Sequence, residues 1–234
     1  MKTLLVMISM AFIVSRAYAL ECTATVYELD SQQTKPLFSV LFHADDESKP
    51  TALIHSVHRT LQGEDSTIED VTLNQGELKE YTLQRKQQGE VLKLSVGDKK
   101  ITFSKTAEGK TQTSEEDRPK NLTVGLTVVP FIRKNWNDLM AGKSIDIRFA
   151  SVDRLETVGF KLKKINDDHL AKDQAMIEMS ATSFFIAAIV KPLRFTLETT
   201  GEKHLVRFTG RPIVRRQTGS KFSDLDAETV YQCH

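Results

Sequence analysis

Apolar and polar side chains alternate with period two along most of this chain, the pattern of strands that bury one face. Leu92, Leu94 and Val96 share one parity and Lys93 and Ser95 the other, and after Gly97-Asp98 the pattern continues in Ile101 and Phe103. Val71 and Leu73 lead into Asn74-Gln75-Gly76, a turn signal, and Leu78, Tyr81 and Leu83 follow it. The alternation returns in Ile145, Ile147 and Phe149, in Val158, Phe160 and Leu162, in Leu193, Phe195 and Leu197, and in Val206 and Phe208. Short strands punctuated by turn residues predict a mainly β protein, a curved antiparallel sheet forming a half-barrel or open barrel.

Two segments depart from that rhythm and predict two short helices. Across 131–140, Ile132, Trp136, Leu139 and Met140 fall on one helical stripe, with Pro130 at its start and Gly142 after its end. The run 184–190 is apolar on all sides and stops before Pro192. It reads as a helix capped by Thr182 or Ser183, with a buried strand as the alternative. Residues 105–120 hold no large apolar side chain and four charges of each sign, which predicts an exposed loop or hairpin tip.

The extreme N-terminus follows a different logic. Lys2 precedes an apolar run from Leu4 to Val14, and Ala17-Tyr18-Ala19 has the small-x-small form of a cleavage site. Residues 1–19 therefore read as a signal peptide, and 20–234 as a single β-rich domain exported to the periplasm or secreted. The run is shorter than the roughly 20 residues of a membrane span. Glu21 stands where lipoprotein processing wants a small residue before Cys22, so a lipid anchor is not expected. Removing 19 residues from 234 leaves 215, and removing Lys2 and Arg16 takes 32 basic residues to 30 against 31 acidic.

That near-neutral total conceals a division. Residues 20–80 carry twelve acids and four bases, whereas 81–234 carry nineteen acids and twenty-six bases. The region 191–221 is the most basic, and Arg211, Arg215 and Arg216 are candidates for contact with an anionic membrane surface or envelope polymer. The competing reading is basic residues on the wet faces of strands. Nucleic acid is not expected of an exported chain with one Trp and four Tyr for stacking.

Only two cysteines exist, Cys22 and Cys233, near the two ends of the mature chain. In an oxidising compartment they read as a disulfide, with two free thiols as the alternative, and the bridge implies neighbouring first and last strands.

The search for chemistry removes the familiar enzymes. There is no Gly-x-Ser-x-Gly elbow, no Gly-x-Gly-x-x-Gly and no Walker-type loop. On a strand read at 52–61, His55 and His58 face opposite ways and cannot chelate one metal. Adjacent acids such as Glu69-Asp70 are turn-like or face opposite ways, which suits solvation better than paired acid–base work. No catalytic residue, metal site or cofactor is expected, and the chain reads as non-enzymatic. Phe131, Trp136, Phe184 and Phe185 are candidates for an apolar groove, against the alternative that they are ordinary core.

The segment from Phe131 to Lys164, with Trp136-x-x-Leu139, Gly142 and the strands 145–149 and 158–162, resembles the open-barrel periplasmic proteins of the LolA/LolB type and their uncharacterised relatives. The resemblance is architectural. It implies a sheet partly wrapped around a helix, with a groove for a lipid-like ligand or lipoprotein acyl chain. The alternatives are an envelope structural or interaction component and a hydrolase whose site is assembled only in three dimensions.

Overall fold

A computed structural model describes residues 19–46 and 49–233. Of the predicted leader, residues 1–19, all but Ala19 lie outside the described residues, and so the signal-peptide reading is not addressed by the structure.

The first eight strands form a meander: β1 (Leu20–Glu28), β2 (Pro36–Ala44), β3 (Thr51–Thr60), β4 (Asp65–Asn74), β5 (Glu77–Arg85), β6 (Glu90–Val96), β7 (Lys100–Ala107) and β8 (Lys110–Asp117). After β9 (Leu122–Thr123) come α1 (Val128–Lys134) and α2 (Trp136–Met140), then β10 (Ile145–Ser151), β11 (Glu156–Ile165) and β12 (Gln174–Ala181). The last part holds α3 (Phe184–Ala187), β13 (Leu193–Glu198), β14 (Leu205–Gly210), the hairpin β15 (Arg215–Thr218) and β16 (Lys221–Asp224), and β17 (Ala227–Cys233).

All but β15 and β16 join one 15-stranded sheet, in the order 8-7-6-5-4-3-2-1-17-14-13-12-11-10-9. Neighbours are antiparallel except β9 and β10. The first and last strands pair, with Cys22 directly opposite Cys233, and a disulfide joins them. The sheet curls without closing. Side chains instead tie the edge strand β8 to β11, the third strand from the other edge: Glu116 of β8 accepts from the backbone N–H and hydroxyl of Thr157 in β11, at 3.0 and 2.6 Å.

A second tie sits at one end of the curl. Arg85, only 4% exposed, donates to both oxygens of Asp153 at 2.6 and 2.7 Å and to Glu90 at 3.0 Å. Asp153 also receives Arg215 at 3.1 Å, so this ion cluster joins β5, β6, the β10–β11 turn and the β15–β16 hairpin. Burial leaves these groups too little water to solvate them singly, and the network supplies the compensation.

The period-two strands bury the expected parity, with Leu92, Leu94, Ile101, Phe103, Leu162 and Leu197 all inaccessible. The change of phase between Leu78 and Tyr81 is taken up by a register shift in the β4–β5 pair. The polar stretch 105–120 is a hairpin rather than a loop: most of it belongs to β7 and β8, turned at Glu108 and Gly109, which both have positive φ. β8 is an edge strand with two wet faces, so its backbone ladder makes it a strand although its side chains carry no alternation.

The helical expectations also need adjustment. The segment predicted as one helix at 131–140 is two, α1 and α2, parted at Asn135, whose side-chain amide donates to the Phe131 carbonyl at 2.8 Å. Pro130 lies in the first turn of α1, where its missing N–H costs nothing. The run 184–190 yields only the single turn α3. Ile186 packs on the core, and one turn cannot bury opposite sides at once, so Phe184 and Phe185 stand 83% and 80% exposed.

Candidate functional site

Between the concave face of the sheet and the segment carrying α1 lies a cavity of about 170 Å³. Parity builds its floor. Ile54, Ser56 and His58 alternate inward along β3, Phe42 and Ala44 do so on β2, and Glu69 sits on β4 directly opposite Ser56. Thr229, Tyr231 and Cys233 of β17 form the next strip, and Phe195 and Phe208 continue it across β13 and β14. The roof is Gly125, Leu126, Val128, Val129 and Pro130. Most of this wall is aliphatic or aromatic, and the Cys22–Cys233 disulfide is part of it.

Beside the Thr229 hydroxyl, polar side chains of Glu69, His58, Tyr231 and Ser56 line this space with the apolar ones. The Glu69 carboxylate accepts the Leu126 N–H at 3.2 Å and is hydrogen-bonded to the Tyr81 hydroxyl. Desolvation nevertheless pushes its carboxyl up from 4.5 to about 7. His58 is 6% exposed, its Nδ1 has no hydrogen-bond partner among the described residues, and burial pushes its imidazole down from 6.5 to about 4. Burial and then the nearby Glu69 charge push the Tyr231 phenol upward. Ser56, 1% exposed, completes the set.

The roof is fastened to the floor through Glu69. Gly125 has φ +32°, and a β-carbon there would overlap the Glu69 Oε1. Thr127 tightens the same turn, its hydroxyl accepting from the Val124 N–H at 2.8 Å and donating to the Val124 carbonyl at 2.9 Å.

Of the residues picked out from the sequence, Cys22, Cys233 and Arg211 line this cavity, and the others fall elsewhere. Trp136 is buried among the side chains between α1–α2 and β10–β13, with Phe131 packed against that cluster. Phe184 and Phe185 form an edge-to-face pair in solvent on α3. Arg211, Arg215 and Arg216 are ion-paired within the chain, to Asp224 at 3.2 Å, Asp153 at 3.1 Å and Glu28 at 3.0 Å respectively. Cys22 and Cys233 are bonded to each other.

His55 and His58 do face opposite ways, His55 pairing outside with Asp70 at 2.7 Å. Among the described residues no three His, Cys, Asp or Glu side chains gather where a metal could sit, and no helix is long and apolar enough to cross a membrane.

In the sequence Glu69-Asp70 resembles a turn, which hides Glu69. The available signal was parity: Glu69 is in phase with inward Val71 and Leu73, as His58 is with Ile54. A charged or imidazole group in phase with a buried strip must be either compensated or functional.

No family model matches the chain, and no curated protein matches it. Two solved structures are similar at low identity. A β-barrel-like protein of a domain of unknown function (DUF1849) from Brucella abortus shares 9% identity, with 92% of this chain and 95% of that one covered and a TM-score of 0.44. A porin-like protein from Bacteroides uniformis shares 9%, with 92% and 97% covered and a TM-score of 0.24. Neither description names the LolA/LolB type.

Proposed function

We propose that this protein is a non-enzymatic, exported binding protein that holds a lipid-like or otherwise apolar ligand between its curved sheet and α1. The cavity supports this reading, because apolar surface left uncovered inside a curled sheet is better used by a ligand than by water. The Cys22–Cys233 disulfide supports export, since such bonds persist in oxidising compartments. The LolA/LolB-like carrier role belongs to the same proposal.

The enclosed Ser56, His58 and Glu69 raise a hydrolase as the competing class, and their bonding weighs against it. In a nucleophilic triad the histidine Nδ1 binds the carboxylate. Here His58 Nδ1 is unpartnered, and Glu69 is engaged by Tyr81 and the Leu126 N–H.

Native mass spectrometry of protein purified without detergent, followed by titration with a fluorescent apolar probe, tests the binding reading. A small molecule lost on denaturation, and probe binding abolished by Ala44→Phe, are expected. Protein that carries nothing and takes no probe sinks it.

A second reading, an envelope interaction component, draws on the exposed Phe184, Phe185 and Ile189. Crosslinked partners that disappear on replacing Phe184 and Phe185 by Ser would favour it.

A further inference from the structure

The cavity is not uniformly apolar, and its polar point is specific. His58 projects from β3 into it, at the same parity as Ile54 and Ser56. An imidazole so enclosed with an unbonded nitrogen forfeits a hydrogen bond that water supplied in the unfolded chain. Neutral imidazole offers one donor and one acceptor. Its complement is a group that also does both, which describes a hydroxyl.

The charged groups around the cavity already have partners within the chain. Glu69 is bonded to Tyr81 and Leu126, Arg211 is paired with Asp224, and the Arg133 Nε donates to the Lys203 carbonyl at 3.3 Å. A charged ligand would have to displace these bonds to be compensated, whereas an uncharged one need not. The volume, about 170 Å³, compares with the roughly 150 Å³ of an engineered apolar cavity that binds benzene. It suits one ring or a short chain end.

We infer that the cavity takes an uncharged amphiphile, a compact apolar body bearing one hydroxyl-type group that hydrogen-bonds His58. This rests on the binding reading above and adds the ligand's polar requirement. In a purely apolar cavity a hydroxyl is a penalty, because it loses water and gains nothing. Phenol would then bind more weakly than benzene. With His58 as partner the order reverses.

Isotope-labelled protein is titrated with benzene and, separately, with phenol at pH 7, followed by the backbone and imidazole NMR resonances. Phenol is expected to bind about tenfold more tightly, the gain of one buried hydrogen bond. His58→Leu removes that preference and keeps benzene binding. If benzene binds as tightly as phenol or more so, the inference is overturned while the cavity-binding reading stands. If neither ligand moves the cavity resonances, both fall. Should His58→Leu not fold, the wild-type imidazole nitrogen shifts decide: phenol moves them and benzene does not, and their indifference to phenol overturns the inference.

Discussion

Glu69 and Gly125 form a lock-and-space pair: the carboxylate of one occupies the volume a side chain would need on the other. Through that contact Glu69 reaches the Leu126 N–H and holds the roof segment over the sheet. Gly125→Ala should therefore cost about 2 kcal/mol or more, from the left-handed backbone and the displaced carboxylate together. Urea denaturation reads it directly. A loss under about 0.5 kcal/mol would show that the roof does not depend on this contact.

Opposite pH dependences follow from the two enclosed titrating groups. Glu69 has a raised folded value, 4.5 to about 7, so the folded state binds more protons than the unfolded between those limits. Its contribution to stability is greatest below pH 4.5 and falls as pH rises to about 7. His58 has a lowered value, 6.5 to about 4, so its contribution is full above pH 6.5 and is lost as pH falls toward 4. The two slopes oppose each other between pH 4.5 and 6.5. Glu69→Gln should be on the order of 3 kcal/mol more stable than wild type at pH 8 and nearly equal to it at pH 4.5. Its own stability should rise from pH 4 to 6.5, the His58 slope unmasked. Denaturation midpoints across this range measure both.

Arg85 is the group on which the buried ion cluster converges. Arg85→Ala leaves Glu90 and Asp153 facing each other with Lys105 and Arg215 as partial compensation. A loss of about 3 kcal/mol is expected. Arg216→Ala, at the 43%-exposed partner of Glu28, should cost under about 1 kcal/mol. Comparable losses for the two would mean that enclosure does not set the strength of these pairs.

The disulfide spans a sequence separation of 211 residues. By the chain-entropy model its removal should cost about 5 kcal/mol, less any residual order in the reduced unfolded chain. Replacing both cysteines by Ser, with denaturation compared in the oxidised wild type, checks this. Because Cys22 and Cys233 also line the cavity, probe affinity in the double variant should fall with the stability.

Much of the sheet was legible in the residues themselves. Leu92, Leu94 and Val96 required one buried face, and the two cysteines at the chain's ends required neighbouring strands once bonded. β8 was not legible, since an edge strand wetted on both sides has no alternation to display. The exposure of Phe184 and Phe185 was likewise invisible, because an apolar run predicts burial wherever a core is near enough, and α3 has only one turn. The candidate groove residues and the cavity wall separated for a related reason. Trp136 fell on a helical stripe, and that stripe is the face used to fasten α1–α2 to β10–β13. The cavity adjoins that cluster and shares Val128, Phe195 and Phe208 with it, but neither Trp136 nor Phe131 lines it.

By itself, then, the sequence determined the β architecture, because side-chain parity along a strand is a local property that twenty residues suffice to express. It also determined that two cysteines were available to clasp the ends. Only the tertiary structure decided that Ser56, His58, Glu69 and Tyr231 line one cavity, since they come from β3, β4 and β17 and meet through the curl of the sheet. It likewise decided that the basic residues of 191–221 include Arg211, Arg215 and Arg216 spent on internal ion pairs. Burial and pairing are relations between distant segments. Neither is written at any one position of the chain.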